Sequence, residues 1–307
     1  MKNLFKILAV LTLIAALPFV CGAETAQKPI TVVSPNGAPG LALATLAVEQ
    51  PENYTYVAAE TISAEFAKAE TDFIIAPLNA GAKLFKAGKS TYKLAAVVTW
   101  GNLYFASQKE NFSLADMNGA AVTLFGEGTI NSSVALYSLT ENGVTPGAVE
   151  YLAGAANTQA LLLSDENAIV LTAEPALSAA RLKSEKITAF SVNDLYKAAT
   201  GFDGYTQAAL FVKGELAEND PALVDEFLAK AQEAVDKCQS DVDAVAEAAV
   251  KLEILPNQKV AKSAIPNCAI RFLPAWDAKE QIEATAKIDL SQFGGEVPAN
   301  DFYYGQK

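Results

Sequence analysis

The 307-residue sequence contains no histidine and only two arginines, Arg181 and Arg271. Without histidine there is no imidazole base, no Ser-His-Asp triad and no His-ligated zinc site, which removes many hydrolases. Two arginines leave little material for the bidentate clamp that grips carboxylates and phosphates. Lys and Arg number 23 against 35 Asp and Glu, so the basic face that nucleic acid requires is missing as well. A membrane-spanning helix needs about 20 apolar residues. The best apolar run, Ile7 to Val20, is shorter and is interrupted by Pro18. Nothing in the residues points to a metal or a cofactor, and no repeat of fixed period is present.

What is there begins at the N-terminus. Lys2 and Lys6 precede that apolar run, and Cys21, Gly22 and Ala23 follow it, the layout of a signal peptide over residues 1–23. Two processing routes fit. Cleavage after Ala23 obeys the small-x-small rule; alternatively Cys21 carries a lipid, although Pro18-Phe19-Val20 is a poor lipobox. Either route exports the chain, to the periplasm or the outer face of the cytoplasmic membrane. Removing residues 1–23 leaves 21 basic against 35 acidic residues, a net charge of −14. About 284 residues remain, enough for two lobes with separate cores. Cys238 and Cys268 persist in an oxidising compartment. A disulfide between them is expected, closing a loop of about 30 residues and stabilising by roughly 3 to 4 kcal/mol.

Short apolar strands alternate with helical stretches along the chain. Ile30–Ser34 reads as a strand, Gly40–Glu49 as a helix, Tyr54–Ala59 as a strand and Ser63–Ala69 as a helix. Phe73–Ala76 is a continuous apolar run, as expected of a strand buried on both faces, and Asn79–Lys86 a helix. A second series starts after Ser107: strands at 121–125, 149–152 and 168–172, each followed by a helix, at 131–141, 158–164 and 175–183. Repeated β-α-β winding of this kind builds parallel sheets, and two series predict two similar lobes. The extended stretches Leu94–Ser107 and Tyr205–Val212 suit the crossings between them. Beyond Asp220 the chain reads as amphipathic helices, expected to pack on the first lobe, with an extended 268–273 and a last helix at 277–286. Asp220-Pro221 is a helix-start signal.

The stretches TDFIIAPLNAGAKLFKAG (71–88), YKLAAVVTWGNLYFAS (92–107) and SLADMNGAAVTLFGEGTINSS (113–133), with IPNCAIRF and the terminal GGEVPANDFYYG, resemble the type II periplasmic solute-binding proteins of ABC importers. Within them the resemblance is to the branch of sulfonate, nitrate and thiamine-precursor binders, and it runs over nearly the whole mature chain. The resemblance implies an α/β fold of two hinged lobes, lobe I from residues 24–105 plus 208–307 and lobe II from 106–207. It also implies a ligand in the cleft and closure by rigid-body rotation. The partners implied are a small-molecule ligand and a membrane permease, the chain itself being a monomer.

In open α/β sheets ligands sit beyond the carboxyl ends of strands, which selects the candidate residues. Asn36, Gly37 and Ala38 lie in the Gly- and Pro-rich loop after the first strand. Asn79, after the third, fits either a helix N-cap or a ligand donor. Trp100 offers a flat wall or core packing, beside Asn102 at the crossing. Gly126, Gly128 and Thr129 repeat the loop design in the second lobe, and a lone GxG is weak evidence for a nucleotide. Glu174 suits a cationic group or the helix dipole equally, and Tyr205 and Gln207 frame the pocket or the hinge. Three functions remain: a transport receptor without catalysis, an enzyme on the same fold using Glu127 or Glu174, and a ligand-sensing subunit of a membrane signalling protein.

Overall fold

The computed structural model describes residues 29–305. The signal peptide and Cys21 lie outside the described residues. The strands are β1 (Val32–Pro35), β2 (Tyr54–Val57), β3 (Phe73–Pro77), β4 (Lys93–Thr99), β5 (Leu103–Ser107), β6 (Ala121–Phe125), β7 (Ala148–Leu152), β8 (Val170–Ala173), β9 (Thr188–Ser191), β10 (Ala208–Val212) and β11 (Ile270–Pro274). They form a six-stranded sheet, β11-β4-β10-β3-β1-β2, and a five-stranded sheet, β7-β6-β8-β5-β9.

One strand-order pattern is used twice. In the first sheet β2, β1 and β3 are parallel, then β10 is inserted antiparallel between β3 and β4. In the second, β7, β6 and β8 are parallel and β5 is inserted antiparallel between β8 and β9. Each inserted strand is the one that has just crossed from the other sheet. The two crossings therefore lie side by side.

The period-two alternation of a strand explains the continuous apolar runs. Phe73 and Ile75 of β3 face one core, Ile74 and Ala76 the other, and Leu210 and Phe211 of β10 divide in the same way. One core is closed by the helices Pro221–Ser240 and Val242–Lys251, which bury Val224, Phe227, Ala231, Val235, Val245 and Ala249. Phe227 stacks on Phe73 at 4.2 Å between ring centroids. Asp220 caps the longer helix, its carboxylate accepting from Leu223 N at 3.1 Å. The last helix, Lys279–Ile288, contacts helix Ile130–Glu141, which follows β6 of the second sheet.

Several expectations change. The helix expected over Gly40–Glu49 is two short pieces, Ala38–Leu41 and Ala44–Ala47, separated at Leu43. β9, helix Val192–Thr200 and helix Gln258–Ala264 are additional. The extended stretch 94–107 turns at Gly101, where φ is +88° and a Cβ would stand 2.2 Å from the Tyr205 ring. The disulfide is not formed: Cys238 and Cys268 are free, buried thiols in one apolar cluster. The Cys238 thiol is turned towards the Leu41 carbonyl, 3.7 Å away. Dry surroundings push its pKa up to about 12 and raise that of Cys268 well above the ordinary thiol value, which suppresses the thiolate that disulfide exchange needs.

Candidate functional site

Strand ends from both sheets converge on a cleft of about 290 Å³. From the first sheet come Pro35, Asn36 and Pro39 after β1, Ala59 and Ile62 after β2, and Pro77, Asn79 and Ala80 after β3. The second contributes Thr129, Ile130 and Asn131 after β6; the crossings add Asn102, Gln207 and Ala208, and the C-terminal segment adds Gln292. None of these side chains is ionisable. The polar lining consists of carboxamides and one hydroxyl, groups that both donate and accept but carry no charge.

Two helices start at this cleft, Leu78–Lys86 and Ile130–Glu141, and neither has a side-chain cap. Thr129 stands at the N-cap of the second, but its hydroxyl donates instead to the Gly126 carbonyl at 2.7 Å. First-turn N–H groups lack intrahelical partners; Leu78 N of the first helix donates to the Gln207 carbonyl at 2.9 Å, and both helix ends are partly positive. Elsewhere Ser191, Asp220, Asp241 and Asn257 do cap their helices. The first helix seats closely on the sheet because residue 81 is glycine: a Cβ there would lie 2.4 Å from the Phe211 ring.

A hydrogen-bonded hub ties the crossings together beneath the cleft. Gln207 Nε2 donates to Asn102 Oδ1 at 2.9 Å, Asn102 Nδ2 donates to the Glu174 carbonyl at 2.7 Å, and Gln207 Nε2 also reaches Asn131 Oδ1 at 3.4 Å. The backbone N–H of Gln207 donates to Thr99 O, and that of Glu174 to Asn102 O. Asn79 differs from these: its Oδ1 is buried and has no partner. A buried acceptor left unpaired costs about 1–3 kcal/mol.

Of the residues singled out in the sequence, Asn36, Asn79, Asn102, Thr129 and Gln207 line the cleft. Gly37, at φ +93°, precedes the short helix, and Ala38 is buried in the first-sheet core. Gly126 and Gly128 both have positive φ and shape the loop, offering carbonyls to Thr129 and Gln292. Trp100 is 2% exposed; its indole N–H donates to the Arg271 carbonyl at 2.9 Å and Arg271 covers its ring. Tyr205 is fully buried against Tyr196. Glu174 is 2% exposed and its carboxylate accepts from Ser178 N at 3.0 Å and Ser178 Oγ at 2.9 Å. Burial raises its pKa, with the Ser178 bonds and the Arg181 charge acting against the rise. Its carboxylate thus serves the start of helix Ala176–Arg181. Glu127 is exposed and is not among the cleft-lining residues.

Sequence reasoning misses Asn131, Ile62 and Gln292. Asn131 is legible as a polar residue in the first turn of a cleft-facing helix. Gln292 comes from more than 150 residues beyond its second-lobe neighbours and carries no local signal. Among the described residues no group of three or more His, Cys, Asp or Glu side chains is arranged to hold a metal ion, and no helix is long and apolar enough to cross a membrane.

No family model matches the sequence, and no curated protein matches it. Solved structures do resemble it. An ABC transporter protein from Parabacteroides distasonis superposes with a TM-score of 0.77 at 22% identity, covering 91% of this chain and 99% of its own. The periplasmic aliphatic sulphonate binding protein of Escherichia coli gives a TM-score of 0.70 at 17% identity, covering 91% and 94%. A desulfurization enzyme gives 0.57 at 13% identity, covering 90% and 97%. By its twice-used strand order, its paired crossings and these likenesses, the chain has the two-lobe α/β fold of the periplasmic binding proteins.

Proposed function

We propose that the chain is the extracytoplasmic solute-binding component of an ABC importer, which captures a small organic molecule between its lobes and delivers it to a membrane permease. The observation that carries the reading is the cleft itself. It lies at the strand ends of both sheets, is floored by the two crossings, and is lined by uncharged amides with one buried acceptor unpaired. An N-terminal signal peptide, either cleaved after Ala23 or removed ahead of a lipidated Cys21, puts such a receptor outside the cytoplasmic membrane. The ligand's polar group is then held by carboxamides and helix ends rather than by an ion pair.

The test is thermal-shift screening of the purified chain against a metabolite library, with mass spectrometry of co-purifying small molecules and uptake measured with and without the neighbouring permease. Stabilisation by one ligand class together with permease-dependent uptake is expected; no ligand and no uptake would overturn the reading. The desulfurization enzyme with the same fold keeps a catalytic alternative open to experiment. Proton transfer needs a titratable group beside the substrate, and no cleft-lining side chain is ionisable. Turnover of a bound molecule by the purified chain would favour that alternative.

A further inference from the structure

After the last helix the chain does not simply end against the first lobe. The turn Leu290–Phe293 is anchored there by Phe293, 2% exposed, which sits with Ala82, Phe85 and Lys86 of helix Leu78–Lys86, and by an ion pair between Lys86 and Glu296. From that anchor it reaches the other lobe. Ser133 Oγ donates to Asp289 Oδ2 at 2.8 Å, and Gln292 Nε2 donates to the Gly128 carbonyl at 2.7 Å. Ser291 Oγ donates to the other Asp289 oxygen at 2.6 Å and fixes the carboxylate. Both second-lobe partners flank the first turn of helix Ile130–Glu141, and Gln292 itself lines the cleft.

We propose that residues 289–293 are an inter-lobe clasp, which bridges the cleft mouth outside the two hinge crossings and sets the balance between open and closed lobes. A chain hinged at its two crossings, the turn at Gly101 and the segment leading into β10, opens by moving the second-lobe loop away from the first sheet. Such a motion stretches the clasp bonds, because their two ends belong to different lobes. Gln292 couples the clasp to cleft occupancy, since the side chain that holds Gly128 also faces the space a ligand fills. The proposal shares with the solute-binding reading the premise of moving lobes, but its test requires no ligand, so the two fail separately.

The two cleft-facing helices point away from the cleft, so their far ends separate when the lobes open. Fluorescent labels on Lys89→Cys and Glu141→Cys, both exposed positions at or beyond those ends, report the distance in the ligand-free mature chain starting at Glu24, which lacks Cys21. The buried Cys238 and Cys268 stay unlabelled. Asp289→Ala or Gln292→Ala is expected to raise the open-to-closed ratio several-fold, up to about tenfold for the charge-assisted bond. Ser133→Ala removes the same bond from the opposite lobe without touching the clasp and should match Asp289→Ala, with no further shift in the double variant. Circular dichroism and melting curves verify folding. Unchanged distance distributions in folded Ser133→Ala and Gln292→Ala would overturn the proposal.

Discussion

Asn79 and Glu174 sit at equivalent places after a strand, yet their side chains have opposite surroundings. The Asn79 amide faces the cleft with a buried, unpaired oxygen, so its removal relieves a desolvation cost in the ligand-free protein. Asn79→Ala should leave the melting temperature unchanged or slightly higher while weakening binding of the co-purifying ligand by about 1–2 kcal/mol, measured by calorimetry beside the wild type. Glu174 is buried with its pKa raised by desolvation. A raised folded-state pKa favours the protonated form on folding, so its stabilising contribution is complete below the unfolded value and is lost as pH rises through the folded one. Wild type should therefore lose stability relative to Glu174→Gln as pH rises above about 4, the ordinary glutamate value, and through the raised folded-state pKa. A flat difference between the two melting curves would refute this.

Helix Pro221–Ser240 is legible in the order of residues alone: Asp220-Pro221 starts it, and its apolar residues recur at helical spacing. What that order does not specify is the surface the helix covers. Val224, Phe227, Ala231 and Val235 close one face of the first sheet, with Phe227 against Phe73. Truncation to Phe227→Ala removes a buried ring and leaves a cavity, at a cost of about 3–5 kcal/mol, readable as a lower urea midpoint. β9 and helix Val192–Thr200 give a weaker signal because β9 is a four-residue strand, TAFS, of which only two residues are apolar. The Ser191 cap, accepting from Asn193 and Asp194 N–H groups, is the available clue. Residues 40–49 read as one continuous helix because local propensity does not report the break at Leu43.

Across the whole molecule the net charge is strongly negative while the cleft is electrically neutral. Surface acids then have little part in holding the ligand, and screening changes long-range interactions but not short contacts in a cleft. Affinity for the co-purifying ligand is expected to change less than about threefold between low salt and roughly 0.5 M salt, where the Debye length is about 4 Å, by calorimetry at each. A tenfold loss would mean that ionic pairing outside the lining carries the binding.

The amino-acid sequence by itself determined the α/β class, the two series of strands and helices, the crossings near 94–107 and 205–212, and the cleft-facing loops at Asn36, Asn79 and Thr129. Strand period, glycine turns and helix starts are local properties, and they can be read locally. Only tertiary structure decided which way a side chain points. Trp100 and Tyr205 went to the core and Glu174 to its own helix, because burial and hydrogen-bond partners are settled by packing, as with Arg271 over Trp100 from 171 residues away. The same long-range packing left Cys238 and Cys268 as separate thiols and brought Gln292 to the cleft. Contacts across 150 residues have no signature in the order of residues; they exist only once the two sheets have been wound and the chain has returned over both.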